Sequence, residues 1–151
     1  MARQPTISTP SALSEAAAGL RWKINGLTLP FSGGTTGATV SCIVQGPGVV
    51  EDLRMQVVTA GSGATTTTTY QVVTLSKQPA GSATESTLAT VRVACGASMT
   101  LAKGYPSSST SQAALEVSAG DVLRLHYSAV TGSTTEGTGL AEVDVYRNFG
   151  A

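Results

Sequence analysis

From about Thr35 onward, apolar and polar residues alternate along this chain, and clusters of Gly, Pro and Ser interrupt the alternation at short intervals. Alternation with period two is the mark of half-buried strands, because successive side chains in a strand point to opposite faces. Ala38 to Gln45 places Val40, Cys42 and Val44 on one side, and Gly46-Pro47-Gly48 supplies a turn. Val49 to Val58 sets Leu53, Met55 and Val57 against Arg54 and Gln56 before Ala60-Gly61-Ser62-Gly63 breaks the chain again. Thr65 to Lys77 is rich in β-branched residues, with its alternation blurred at Val72-Val73, and Leu88 to Cys95 presents Val91, Val93 and Cys95 together. Ala113 to Val117, Val122 to Val130 and Leu140 to Arg147 complete a set of seven or eight predicted strands. Lys103 to Ser111, with Tyr105-Pro106 and a run of serines, reads as a loop, and Gly132 to Gly139 as a hairpin loop. Thr65 to Thr69 is expected to be an edge strand or a loop leading into one.

The first thirty residues follow a different pattern. Thr9 is a candidate N-cap, Pro10 suits the first helical position and Gly19 a left-handed stop, which predicts one short helix over 10–19. So short a helix needs a surface to pack on. Arg3 to Ser8 lacks a hydrophobic face and is expected to be an arm. Leu20, Trp22 and Ile24 alternate with Arg21, Lys23 and Asn25, a half-buried strand with a basic outer face anchored by the chain's single Trp. The resulting division is 1–30, arm and short helix, and 31–151, the β domain. Periodicity alone leaves a sandwich or a barrel open, antiparallel in either case.

Composition narrows the function classes. Nine basic and nine acidic residues cancel, and only 12% of the chain is charged, so no basic field exists to hold a phosphate backbone and nucleic acid is not an expected partner. No apolar run is long enough to span a bilayer and no secretory leader follows Met1, so no membrane is expected and the chain is predicted to be made in a cytosol. Cys42 and Cys95 are then expected as buried, reduced thiols, with a disulfide possible only if their strands are neighbours.

Reactive constellations are missing as well. His126 shares the outer face of its strand with Arg124, opposite Leu123, Leu125 and Tyr127, and has no cysteine or histidine partner for a metal. No Gly-x-Ser-x-Gly elbow accompanies it. Glu51 and Asp52 are adjacent and should face opposite ways, whereas Glu142 and Asp144 share a face, either as a solvated surface or as a seat for a cation or a partner's arginine. Asp121 is expected to order its turn by accepting backbone hydrogens. Gly132 to Gly139 lacks the Lys and helix of a phosphate loop. The reading is no enzyme, no cofactor and no metal.

Two stretches carry a resemblance. Gly48-Val49-Val50-Glu51-Asp52-Leu53-Arg54-Met55-Gln56-Val57 and Leu115-Glu116-Val117-Ser118-Ala119-Gly120-Asp121-Val122-Leu123-Arg124-Leu125, closed by Gly139 to Tyr146 after a Gly/Thr loop, are similar to a module of bacteriophage virions. The similarity runs from about Val49 to Tyr146; it departs at Gln78-Pro79-Ala80-Gly81-Ser82, where the module carries an Asn-Gly tip. The resemblance implies an antiparallel β-sandwich of jelly-roll type, assembled as a homotrimer, which decorates or cements a phage capsid or forms a head fibre. It further implies a virion location and the major capsid protein or another virion protein as partner. Arg3, Leu13, Arg21, Trp22 and Lys23 are the candidate contacts to capsid or neighbouring subunit. The alternative is a module that binds host-surface carbohydrate, for which the loop aromatics would be Phe31 and Tyr105, with Phe149 near the C-terminus.

Overall fold

A computed structural model describes residues 21–32, 36–62, 69–96, 100–104, 115–130 and 135–148. The arm and the helix expected over 10–19 lie outside the described residues. The described residues form nine strands: β1 (Arg21–Phe31), β2 (Thr39–Ile43), β3 (Gly48–Thr59), β4 (Tyr70–Gln78), β5 (Ser86–Ala94), β6 (Thr100–Gly104), β7 (Glu116–Val117), β8 (Val122–Val130) and β9 (Thr138–Asn148). Every pairing is antiparallel. One sheet has the order β1-β9-β3-β6, with β7 also on β3; the other runs β2-β8-β4-β5.

The two sheets share one core. Leu27, Leu29 and Phe31 of β1, Leu53, Met55 and Val57 of β3, and Ala141, Val143 and Val145 of β9 supply one side. Val73 and Leu75 of β4, Leu88, Val91 and Val93 of β5, and Leu123, Leu125 and Tyr127 of β8 supply the other. Most are aliphatic and of middling size, so the sheets meet without large aromatics to wedge them apart. The exception is a stack of Phe31 on Tyr127, ring centroids 4.8 Å apart and planes within 10°.

The turn before β8 is organised by Asp121, as its Gly-Asp sequence predicts. Its carboxylate is buried and accepts from the backbone N–H of Ala80 through Oδ1 and of Ser118 through Oδ2, each at 2.9 Å. Gly120 holds φ at +91°, a conformation that a side chain would strain. Asp121 thereby ties the turn after β4 to the turn before β8.

Several expectations change. The strand expected at Leu20 to Asn25 continues to Phe31, so residue 30 lies within a sheet strand that pairs with β9 from Arg21↔Asn148 to Phe31↔Gly139. Phe31 is a core residue and not a loop aromatic. Lys103 and Gly104 belong to β6 and not to a loop, because they pair with Arg54 and Leu53. The segment read as a final hairpin crosses between sheets, since β8 pairs with β2 and β4 while β9 pairs with β1 and β3. The pairing of β3 with β9 shifts register between Glu51 and Arg54, and the side chain of Asp52 lies outside the described ones. No disulfide joins the cysteines: Cys42 lies in β2 and Cys95 just after β5, at opposite edges of one sheet. Cys95 is fully buried, whereas Cys42 is only half-buried, with its thiol pKa pushed up by that burial.

Leu125→Ala should lower unfolding free energy by about 2–5 kcal/mol, while Thr90→Ala, on the exposed face of β5, should stay within about 0.5 kcal/mol. Urea denaturation followed by Trp fluorescence measures both; equal costs would mean that the burial pattern is misassigned.

Candidate functional site

Among the sequence-predicted contact residues, Arg3 and Leu13 lie outside the described residues. Arg21, Trp22 and Lys23 open β1, opposite Asn148, Arg147 and Tyr146 of β9. Lys23 joins a charged cluster centred on Asp144, on the outer face of the β1-β9-β3 sheet. Its Nζ lies 2.8 Å from Oδ1 of Asp144, while Nη2 of Arg54 donates to Oδ2 of Asp144 at 2.8 Å and approaches Oε2 of Glu142 at 3.6 Å. The Tyr146 hydroxyl stands 3.5 Å from the same Oδ2.

Local irregularities put these groups together. A bulge between Lys23 and Asn25 turns Lys23 outward and lets Ile24 pack on the core. The bulge in β3 sets Arg54 opposite Glu142, with Asp144 two residues further along. Gly26 pairs with Asp144, and a Cβ there would sit 2.6 Å from Cε of Lys23. Glycine leaves the space across which the lysine reaches.

Electrostatics follow from this geometry. Asp144 is 10% exposed at its side chain, and that burial alone would raise its pKa; the hydrogen bonds and charges of Lys23 and Arg54 outweigh it and hold the carboxyl below the usual range. Lys23, 55% exposed, has its pKa raised, first by its hydrogen bond to Asp144 and then by the charge of that carboxylate. A carboxylate gripped by two cations is a weak proton acceptor, so this cluster is suited to holding strands in register and not to acid–base work. Of the alternatives of a solvated face, a cation seat or a partner's arginine, the structure shows none: the arginine that meets these acids is the chain's own Arg54. Glu142 and Asp144 are therefore a neutralised pair of acids and not an open cation seat. Among the described residues no group of three or more His, Cys, Asp or Glu is arranged to hold a metal ion.

A second polar cluster lies at the end of the core. The Tyr127 hydroxyl is 3.0 Å from Oε1 of Gln71 and 2.9 Å from Oε2 of Glu136, whose Oε1 accepts from Thr36 at 3.0 Å. Burial, then the bond to Glu136, raises the phenol pKa, which keeps it neutral and able to donate. Nothing in the alternation pattern marks this cluster, because Gln71 is a polar residue at a fully buried position. His126 stays exposed on the outer face, with Nδ1 2.9 Å from Oγ1 of Thr39. Near it, Arg124 pairs with Glu85, which also takes the Ser76 hydroxyl.

With this geometry in hand, comparison with protein families, curated proteins and solved structures finds no match.

The Asp144 cluster sets a pH dependence at both ends. Because the folded Asp144 pKa is depressed, its stabilisation is complete above about pH 4 and is lost as pH falls through the lower folded value. Because the folded Lys23 pKa is raised, its contribution is present below about pH 10 and is lost as pH rises through the higher folded value. Asp144→Asn should cost about 1–3 kcal/mol at neutral pH, discounted for the exposure of its partners, and should flatten both limbs. Urea midpoints across pH measure this; unchanged limbs would assign the titration to other groups.

Proposed function

We propose that this chain is a structural protein of a bacteriophage virion, a jelly roll that decorates or cements the capsid, or forms a head fibre, as a homotrimer. The observation that carries the reading is the strand order. With β7 set aside, the order β1-β9-β3-β6 in one sheet and β2-β8-β4-β5 in the other supports a jelly roll, since it matches the order expected of two interleaved Greek keys. The resemblance over about Val49 to Tyr146 supplies the virion context. The buried Asp121 supports it at one point, since the Gly-Asp corner that carries the resemblance joins two turns of the sandwich.

The surface is consistent with association. The exposed positions of β2 and β5 are mostly Ser and Thr, and such groups are covered at less cost than charges. Several acids and bases on the described outer faces are paired within the chain, as at Lys23-Asp144-Arg54 and Arg124-Glu85. In this reading Arg3, Leu13, Arg21, Trp22 and Lys23 form the surface that meets the capsid protein or the neighbouring subunit. Recognition of host-surface carbohydrate is the weaker reading, because Phe31, one of three aromatics it would use, is stacked in the core.

Light scattering on the purified chain should return three times its mass at micromolar concentration, and a stable monomer there would remove the trimer. Quantitative mass spectrometry of purified particles should find hundreds of copies for a decoration protein; a few copies would point to a fibre, and none would overturn the virion reading. A variant lacking residues 2–19 keeps all of β1 and should remain a soluble β-protein while failing to attach to particles stripped of their own copy. Full occupancy by that variant would remove the N-terminal segment from the contact surface.

A further inference from the structure

The strands that end the two sheets differ in how their open sides are protected. Natural edge strands are guarded by charges, prolines or bulges, which discourage pairing with further chain. Here β1 carries Lys23, Pro30 and a bulge, β5 carries Arg92 and borders a register shift at Leu75/Ser76, and β6 carries Lys103. By contrast β2, Thr39-Val40-Ser41-Cys42-Ile43, has no charge, no proline and no bulge.

Ladder parity identifies which backbone groups are open. Tyr127 N–H donates to Ala38 O at 2.9 Å and Val44 N–H to Asp121 O at 2.8 Å, bracketing the regular register from Thr39↔His126 to Ile43↔Val122. Bonded pairs alternate in an antiparallel ladder, so Val40 and Cys42 exchange bonds with β8, while Thr39, Ser41 and Ile43 turn their N–H and C=O away from it. One of these groups is occupied: Asn25 Nδ2 donates to Ile43 O at 3.3 Å, while Asn25 Oδ1 accepts from Gln45 N–H at 3.1 Å. Among the described residues no strand pairs with the rest of that side.

We propose that Thr6-Ile7-Ser8-Thr9 of the same chain pairs with this open side of β2 as an added strand. The segment lies between Pro5 and Pro10, is β-branched at three of its four positions, and is uncharged like the edge it meets. Ile43, 67% exposed, gives Ile7 an apolar cross-strand neighbour. The reach is sufficient. β1 begins at the Ile43 end of β2, since Asn25 bonds both Ile43 and Gln45. The eleven residues from Pro10 to Leu20 span up to roughly 36 Å extended, or about 17 Å as helix, against about 17 Å for five-residue β2. Tethering to the same chain gives an effective concentration on the order of millimolar, which favours the chain's own segment over a second copy's. Main-chain bonds supply the affinity in such strand addition, and alternate side chains the register.

Residue-resolved amide exchange by NMR tests this on the full chain and on two variants, one lacking residues 2–9 and one with Ile7→Pro and Ser8→Pro. In the full chain one or more of the Thr39, Ser41 and Ile43 amides should exchange about tenfold or more slowly than in either variant, while Val40 and Cys42 stay protected in all three. The adjacent prolines remove a donor whichever parity the segment adopts, and they keep a test available if the deletion fails to fold. Equal exchange of Thr39, Ser41 and Ile43 across the three proteins overturns the proposal. Protection that survives both changes and rises with protein concentration overturns it in favour of a second copy's edge.

Discussion

The fold depends on keeping one parity of side chains inward along strands long enough to lose it. In a sheet with one buried face, a slip of one residue turns the whole apolar set to solvent. β1, β3 and β9 run eleven, twelve and eleven residues, long for a twisted sheet, and regular alternation is interrupted in two of the three. The bulges at Lys23/Asn25 and Glu51/Arg54 reset parity, so that Val50 and Leu53 both point inward although three residues apart. The positions that make the molecule more than a generic sandwich sit beside these bulges. Lys23 turns out to Asp144, Arg54 meets Glu142 and Asp144, and Asn25 reaches the end of β2. A bulge costs ladder bonds, and here each one returns a polar contact between strands that alternation would have kept apart.

How much of this could be read from residues alone follows the same division. Strands with clean alternation were legible: β8 was expected at Val122 to Val130 and lies there, and β3 and β5 differ at their ends by one or two residues. β6 was missed because its five residues show little apolar alternation, and only pairing with β3 makes them a strand. The continuation of β1 through Leu27, Leu29 and Phe31 was present as alternation but was set aside by dividing the chain near residue 30. The Asp121 corner was readable, since it depends on local turn chemistry. The Asp144 cluster was not, since it depends on which strands flank β9. Two acids spaced by two residues announce a shared face, but strand order decides whether water or an arginine meets them.

The two ends of the sandwich are built differently. At the Asp121 end, buried polar atoms meet backbone donors within turns, and the bonds Gly120 N–H to Val44 O and Val44 N–H to Asp121 O extend the ladder into the corner. At the Tyr127 end, a side-chain network of Gln71, Tyr127, Glu136 and Thr36 closes the core, and Nε2 of Gln71 is buried with no partner among the described residues. A half-satisfied buried amide costs stability where a backbone-satisfied carboxylate does not. The Phe31-Tyr127 stack offsets part of that cost by burying the aromatic bodies beneath the polar tips.

Few charges therefore do most of the specifying. The acids whose contacts are strongest, Asp121, Asp144 and Glu85, are each turned toward the chain's own donors, and none is left as a reactive group in a cleft. Much of what remains outward on β2 and β5 is hydroxyl and backbone surface. Such a surface is well matched to contacts made by shape and main-chain hydrogen bonds. The same economy explains why β2 matters. In a molecule whose side chains largely satisfy one another, the unprotected edge of a short uncharged strand is where further chain can be recognised, because there the backbone itself is the unmet partner.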